Sequence, residues 1–205
     1  MAAETLILTV SLKIPDNEAR SALEALQAKM GLADSVRDLA REDVWELRVT
    51  SDEDASGPQI GGDEERAANT SDESAVRVLK RIVETTNLFA NPNKHRYSLA
   101  VGTASQVELE PDQMAVLVSD REGSEGESMV ASLRGLNAGQ VVGARRWVRW
   151  RVTLGSPPAR EDATLASLLR KIAVADARDG GLFCNPHIEQ ATAVLPWGDE
   201  KVLVR

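Results

Sequence analysis

The segment Leu88-Phe89-Ala90-Asn91-Pro92 returns as Leu182-Phe183-Cys184-Asn185-Pro186, at an offset of 182 − 88 = 94 residues. In both places a helical pattern runs up to the Leu-Phe pair and a strand-like run follows, Tyr97 to Val101 and Ala191 to Leu195. Asparagine tolerates the left-handed conformation of a helix stop. Proline pushes its predecessor out of the α region and has no N–H with which to continue a helix. Asn91-Pro92 and Asn185-Pro186 therefore read as a structural corner from helix to strand. Using the corner twice implies one structural unit used twice, and 205 residues hold two units of roughly 100 each. The expected division is 1–103 and 104–205.

The remaining pattern repeats around the corner. Leu6, Leu8, Val10 and Leu12 alternate along a first strand, and Pro15 ends it. Asp16 or Asn17 caps a helix striped by Ala19, Ala22, Leu23, Leu26 and Met30, with Gly31 as its stop. A longer strand spans 35–50, with Trp45, Leu47 and Val49 on one face. Ser71 or Asp72 caps a second helix, bearing Val76, Leu79, Ile82 and Val83. After an expected linker over 102–113, the order resumes: a strand at 114–119, a short helix at 127–136, a long strand at 140–154, a helix from Asp162 and a last strand. Aligning Val44–Thr50 with Trp147–Thr153 gives an offset of 103. Each half is thus a β-α-β-α-β unit of the α+β class.

The net charge of −8 is concentrated in one segment. Residues 51–73 hold eight acids against Arg66, a local sum of −7. The Gly, Asp, Glu, Ser and Pro content of 51–70 predicts a mobile acidic loop. With the single Cys184 there is no internal disulfide, no apolar run approaches the roughly 18 residues of a membrane span, and no signal segment is recognisable. Cytoplasmic residence is expected, without membrane association.

The order of elements, together with Asp34-Ser35-Val36-Arg37-Asp38-Leu39, Trp45-Glu46-Leu47 and Leu88-Phe89-Ala90-Asn91-Pro92, resembles the PurS small subunit of bacterial phosphoribosylformylglycinamidine synthase. The second half keeps mainly Phe183-Cys184-Asn185-Pro186 with Ile188-Glu189. The resemblance implies two PurS-like, ferredoxin-related units forming a covalent pseudo-dimer, with a homodimer of the chain as a further possibility. It implies a non-catalytic accessory subunit that bridges larger synthetase and glutaminase subunits in purine biosynthesis, with no cofactor. The family's glycine-rich stretch after the first strand is reduced here to Lys13-Ile14-Pro15-Asp16-Asn17. Its basic Gly-Lys step in the long strand is replaced by Glu42-Asp43, against Arg145-Arg146 in the second half.

No catalytic or metal-binding constellation stands out. His95 and His187 lack partners at ligand spacing, Cys184 replaces the small Ala90, and the glycine-bearing 120–126 segment reads as a plain strand-to-helix loop. The unusual surface is Arg145-Arg146-Trp147-Val148-Arg149-Trp150-Arg151. Alternation puts Val148, Trp150 and Val152 on the core face and Arg145, Trp147, Arg149 and Arg151 on the other. Such a face suits base stacking or an interface between sheets. The acidity of the chain favours the interface, with Glu46 pairing Arg149 or Arg151 if the two long strands associate, over nucleic acid. A different class of function, a small-molecule sensor binding between the copies, is also compatible with paired α+β units.

Overall fold

The computed structural model describes residues 3–50, 70–159, 163–176 and 180–204. The expected acidic loop at 51–70 lies, up to residue 69, outside the described residues, as does Asp162. Strand β1 (Ala3–Leu12) leads to helix α1 (Asn17–Glu24), capped by Asp16, whose Oδ1 accepts from the backbone N–H groups of Glu18 and Ala19 at 2.8 and 3.3 Å. A π-helical segment (Ala25–Lys29) extends α1 to Gly31, which sits at φ +67°. Strand β2 (Val36–Thr50), helix α2 (Thr70–Thr85) and strand β3 (His95–Val101) complete the first half. The second half runs through β4 (Gln113–Asp120), α3 (Ser124–Gly135), β5 (Val141–Leu154), α4 (Ala163–Ala173) and β6 (Glu189–Val194). A final strand, β7 (Glu200–Val204), was not expected.

The protein is α+β, with four helices among the described residues and one antiparallel sheet of seven strands in the order β3-β1-β2-β5-β4-β6-β7. The two long strands are hydrogen-bonded neighbours at its centre. Hydrogen-bond register corrects the offset between them. Leu6 faces Leu47, and Met114 faces Val152, so β1 laid on β4 at 114 − 6 = 108 brings β2 onto β5 at 152 − 47 = 105, not 103. This register matches Trp45 with Trp150. Each tryptophan packs on the phenylalanine of its own corner: Trp45 meets Phe89 edge-on at 5.6 Å, and Trp150 stacks on Phe183 at 4.4 Å.

The corner itself needs correction. Helix α2 ends at Thr85 and α4 at Ala173, both short of the Leu-Phe pair, and neither corner asparagine is left-handed. Among the described non-glycine residues only Asn137, which follows α3, has positive φ, at 62°. The side-chain oxygen of Asn91 instead accepts from the Asn93 N–H at 2.9 Å, and that of Asn185 from the His187 N–H at 3.0 Å. Their carbonyls accept from the N–H of His95 and of Glu189, both at 2.8 Å, which starts the following strand. Lys13 Nζ donates to the Pro92 carbonyl and Arg121 Nη2 to the Pro186 carbonyl, each at 2.7 Å. Lys13 and Arg121 themselves stand 121 − 13 = 108 apart, as β1 and β4 do.

The helices cover one face of the sheet over two cores, and each core draws on both halves of the chain. In one, Ala19 and Leu26 of α1 pack with Met114, Val116 and Trp150 and with Leu165, Leu169 and Ile172 of α4. In the other, Met129 and Leu133 of α3 pack with Leu6, Leu8 and Leu47 and with Leu79, Ile82 and Val83 of α2. The first helix of each half thus rests on the other half's core. Gly126 lets α3 approach β5 closely, because a Cβ there would stand 2.0 Å from the Ala144 carbonyl oxygen.

Candidate functional site

The second sheet face is where the sequence placed its unusual surface. On β1 this face carries Ile7 and Thr9, on β2 Glu42, Val44 and Glu46, and on β5 Arg145, Trp147, Arg149 and Arg151. The stretch expected as a linker crosses it. Ala104, Val107 and Leu109 pack with Ile7, Val44, Ala115, Leu117 and Val194 in a small third core, which the ring of Trp147 joins. This stretch is therefore part of the folded unit.

Strand register decides the pairing of charges. Glu42 lies directly opposite Arg149, whereas Glu46 lies opposite Arg145. The expected Glu46 pair with Arg149 or Arg151 is therefore replaced. Glu42 Oε2 accepts from Arg149 Nε at 2.7 Å and lies 3.6 Å from Arg151 Nη2. Both oxygens of Glu46 are engaged elsewhere: Oε2 accepts from Trp147 Nε1 at 2.8 Å, and Oε1 from the Ala104 N–H at 2.7 Å. Glu46 thereby ties the crossing stretch to the seam between the two long strands.

Arg145 lies over the Trp147 ring at 4.2 Å and donates to Ser119 Oγ at 3.0 Å. One face of that indole is thus occupied by a cation and its N–H by a carboxylate. Arg146 points to the helix side, where it bonds Asp43 at 2.9 Å and Glu125 at 3.1 Å. Arg149 is 5% exposed, a charge held inside the protein, and its Nη2 reaches across β2 to Thr9 Oγ1 at 3.4 Å. The sequence reading missed Glu42, Thr9 and Ala104 as members of this network. Alternation of Glu42 with Glu46 places both acids on the arginine face, and only the inter-strand register distinguishes their partners.

Beside Arg149 opens a cleft of about 300 Å³ between the crossing stretch and the outer strands. Thr9, Ser98, Gln106, Arg149 and Arg151 supply its polar lining, Ile7 and Val107 much of the rest, and Glu108 stands exposed among them. A larger hollow of about 510 Å³ lies by the start of α1. Its least exposed arginine, Arg41, already has three acids around it: Glu18 at 3.4 Å, Asp43 at 3.6 Å and Asp16 at 4.0 Å.

The corner residues are structural in this geometry. His95 Nδ1 accepts from the Asn91 N–H at 2.9 Å, and Glu189 Oε2 accepts from the Asn185 N–H at 2.6 Å. Burial, then the nearby Glu189 carboxylate, push the Cys184 thiol up to about 11. Burial, then its hydrogen bond to Glu84 at 2.7 Å, push the Tyr97 hydroxyl up to about 12. No group of three or more metal-ligating side chains occurs among the described residues, and no helix among them is long and apolar enough to cross a membrane. No protein-family model matches the chain, and no curated protein matches it.

Proposed function

We propose that this chain is a non-catalytic accessory subunit made of two PurS-like β-α-β-α-β units, 1–103 and 104–205, joined as a pseudo-dimer. In this reading it bridges the synthetase and glutaminase subunits of a phosphoribosylformylglycinamidine synthase. The observation that carries the proposal is the paired construction: matching registers at offsets of 108 and 105, the two Trp-Phe contacts, and the Lys13 and Arg121 ties to the two Asn-Pro corners. A dimer-like body with equivalent elements on either side of a central seam offers two related docking surfaces to larger subunits. Glu42 with Arg149 and Glu46 with Trp147 join the two long strands across the seam, as befits a rigid scaffold. Co-purification from the native source tests the proposal. Recovery of neither enzyme subunit, together with no purine requirement on deletion, overturns it.

A second reading, a small-molecule sensor, is favoured by the cleft at Arg149, to which both halves of the chain contribute. Thermal shifts with purine nucleotides and amino acids test it, and no shift across that panel removes it.

A further inference from the structure

We infer that the cleft between the crossing stretch and the open sheet face is a binding site for a small organic anion, a molecule bearing a carboxylate or phosphate group. The inference rests on the ligand-sensing reading and does not depend on an accessory role.

A buried guanidinium is costly unless its charge is compensated. Arg149, nine-tenths buried, has one carboxylate, Glu42, and that carboxylate also faces Arg151 at 3.6 Å. Two cations that line the cleft thus share one anion, Glu42. Glu108, which is exposed, is the one acid among the described lining residues. The second polar contact of Arg149, Thr9 Oγ1 at 3.4 Å, is long for a hydrogen bond. An oxyanion entering here would meet a planar, fork-shaped donor suited to two parallel hydrogen bonds.

The walls suit the body of such a ligand. Ser98 and Thr103 bring hydroxyls and Ile7 an apolar side chain, around a volume of about 300 Å³ that suits a small metabolite. The site draws on both halves: Thr9 and Ser98 sit on neighbouring strands in register, while the arginines come from β5. Gln106 Oε1 accepts from the Thr103 N–H at 2.9 Å, within the part of the crossing stretch that lines the cleft. Ligand occupancy would therefore be read by the segment that Glu46 ties to the seam.

The test is a titration of the full ¹⁵N-labelled chain with inorganic phosphate and, separately, with acetate, with ionic strength held constant by NaCl. Saturable shifts of the Arg149 Nε–Hε resonance and of the amides over 102–106 are expected with at least one anion. A stronger response to phosphate assigns a phosphate-bearing ligand, and a stronger response to acetate a carboxylate. Arg151→Gln, at a part-exposed position, should weaken the response at least fivefold. Should that variant fail to fold, Ser98→Ala, at an exposed position, should weaken the response about twofold or more. Absence of saturable shifts with either anion, or an unchanged response in the folded variants, overturns the site. If the anions fail while the nucleotide and amino-acid panel raises Tm, the anion site is wrong and the sensing reading stands.

Discussion

Removal of the Glu42 carboxylate gives the sharpest test of how the two long strands are held. In Glu42→Ala, Arg149 keeps its burial, with a side chain 6% exposed, and loses the acceptor 2.7 Å from Nε. Truncating one partner of a buried ion pair costs about 3–5 kcal/mol, because the other charge stays desolvated and unpaired. Two features reduce that cost: Thr9 Oγ1 remains 3.4 Å away, and the adjoining cleft admits water. About 2–4 kcal/mol is therefore expected. At about 2–4 °C per kcal/mol for a chain of this length, Tm should fall by roughly 5–15 °C. The double variant Glu42→Ala/Arg149→Met should regain most of the loss, since it removes the stranded charge and fills the space with an apolar chain. Urea unfolding followed by tryptophan fluorescence supplies both numbers. A single transition is expected, because Trp45 and Trp150 report on different cores that each combine helices from both halves of the chain. A Glu42→Ala protein within about 0.5 kcal/mol of the parent, or a double variant no more stable than the single one, refutes the reasoning.

Gly126→Ala should cost about 3 kcal/mol or more by forcing α3 off β5, whereas Gly135→Ala, where a Cβ meets nothing within 4 Å, should be neutral or stabilising by up to about 1 kcal/mol; paired urea curves check both. Cys184 should resist iodoacetamide at pH 8 in the folded protein and react in urea, since a buried thiol pushed up to about 11 holds little thiolate; rapid labelling without denaturant refutes its placement. The chain has one tyrosine, so absorbance at 295 nm follows Tyr97 alone, and its phenolate should appear only near pH 12 in the folded state and near pH 10 when unfolded. The folded state then holds its proton more tightly, so the contribution of this group to stability is complete below pH 10 and is lost as the pH rises from about 10 to about 12.

Local elements were legible because they depend on spacing along the chain. Alternation and short apolar runs located six strands, and three- and four-residue spacing located the four helices, with Asp16 and Gly31 correctly bounding the first. Strand β7 escaped because Glu200 and Lys201 break the apolar run, and the preceding Trp197-Gly198 reads as a loop. The face carrying Arg145, Trp147, Arg149 and Arg151 was correctly read from alternation, but its partners were not. A pairing partner depends on inter-strand register, which a single strand does not encode. The same gap put the long-strand offset at 103 instead of 105. The crossing stretch was read as a linker because its apolar residues, Ala104, Val107 and Leu109, follow no single period. At the corners, Asn91 and Asn185 were correctly taken as punctuation but given the wrong geometry, because an asparagine side chain can turn the chain through its own oxygen as readily as by adopting positive φ.

The placement of α1 and α3 on each other's cores has a consequence for how such a chain can change over generations. A substitution at Leu26 alters the fit around Leu169, and one at Leu133 alters the fit around Leu79. Neither half can drift alone, since each core has compensating positions on both sides of the crossing stretch. The two copies of the corner are free to diverge in letters, as Ala90 and Cys184 already have, while the halves remain bound to one shared history of exchange.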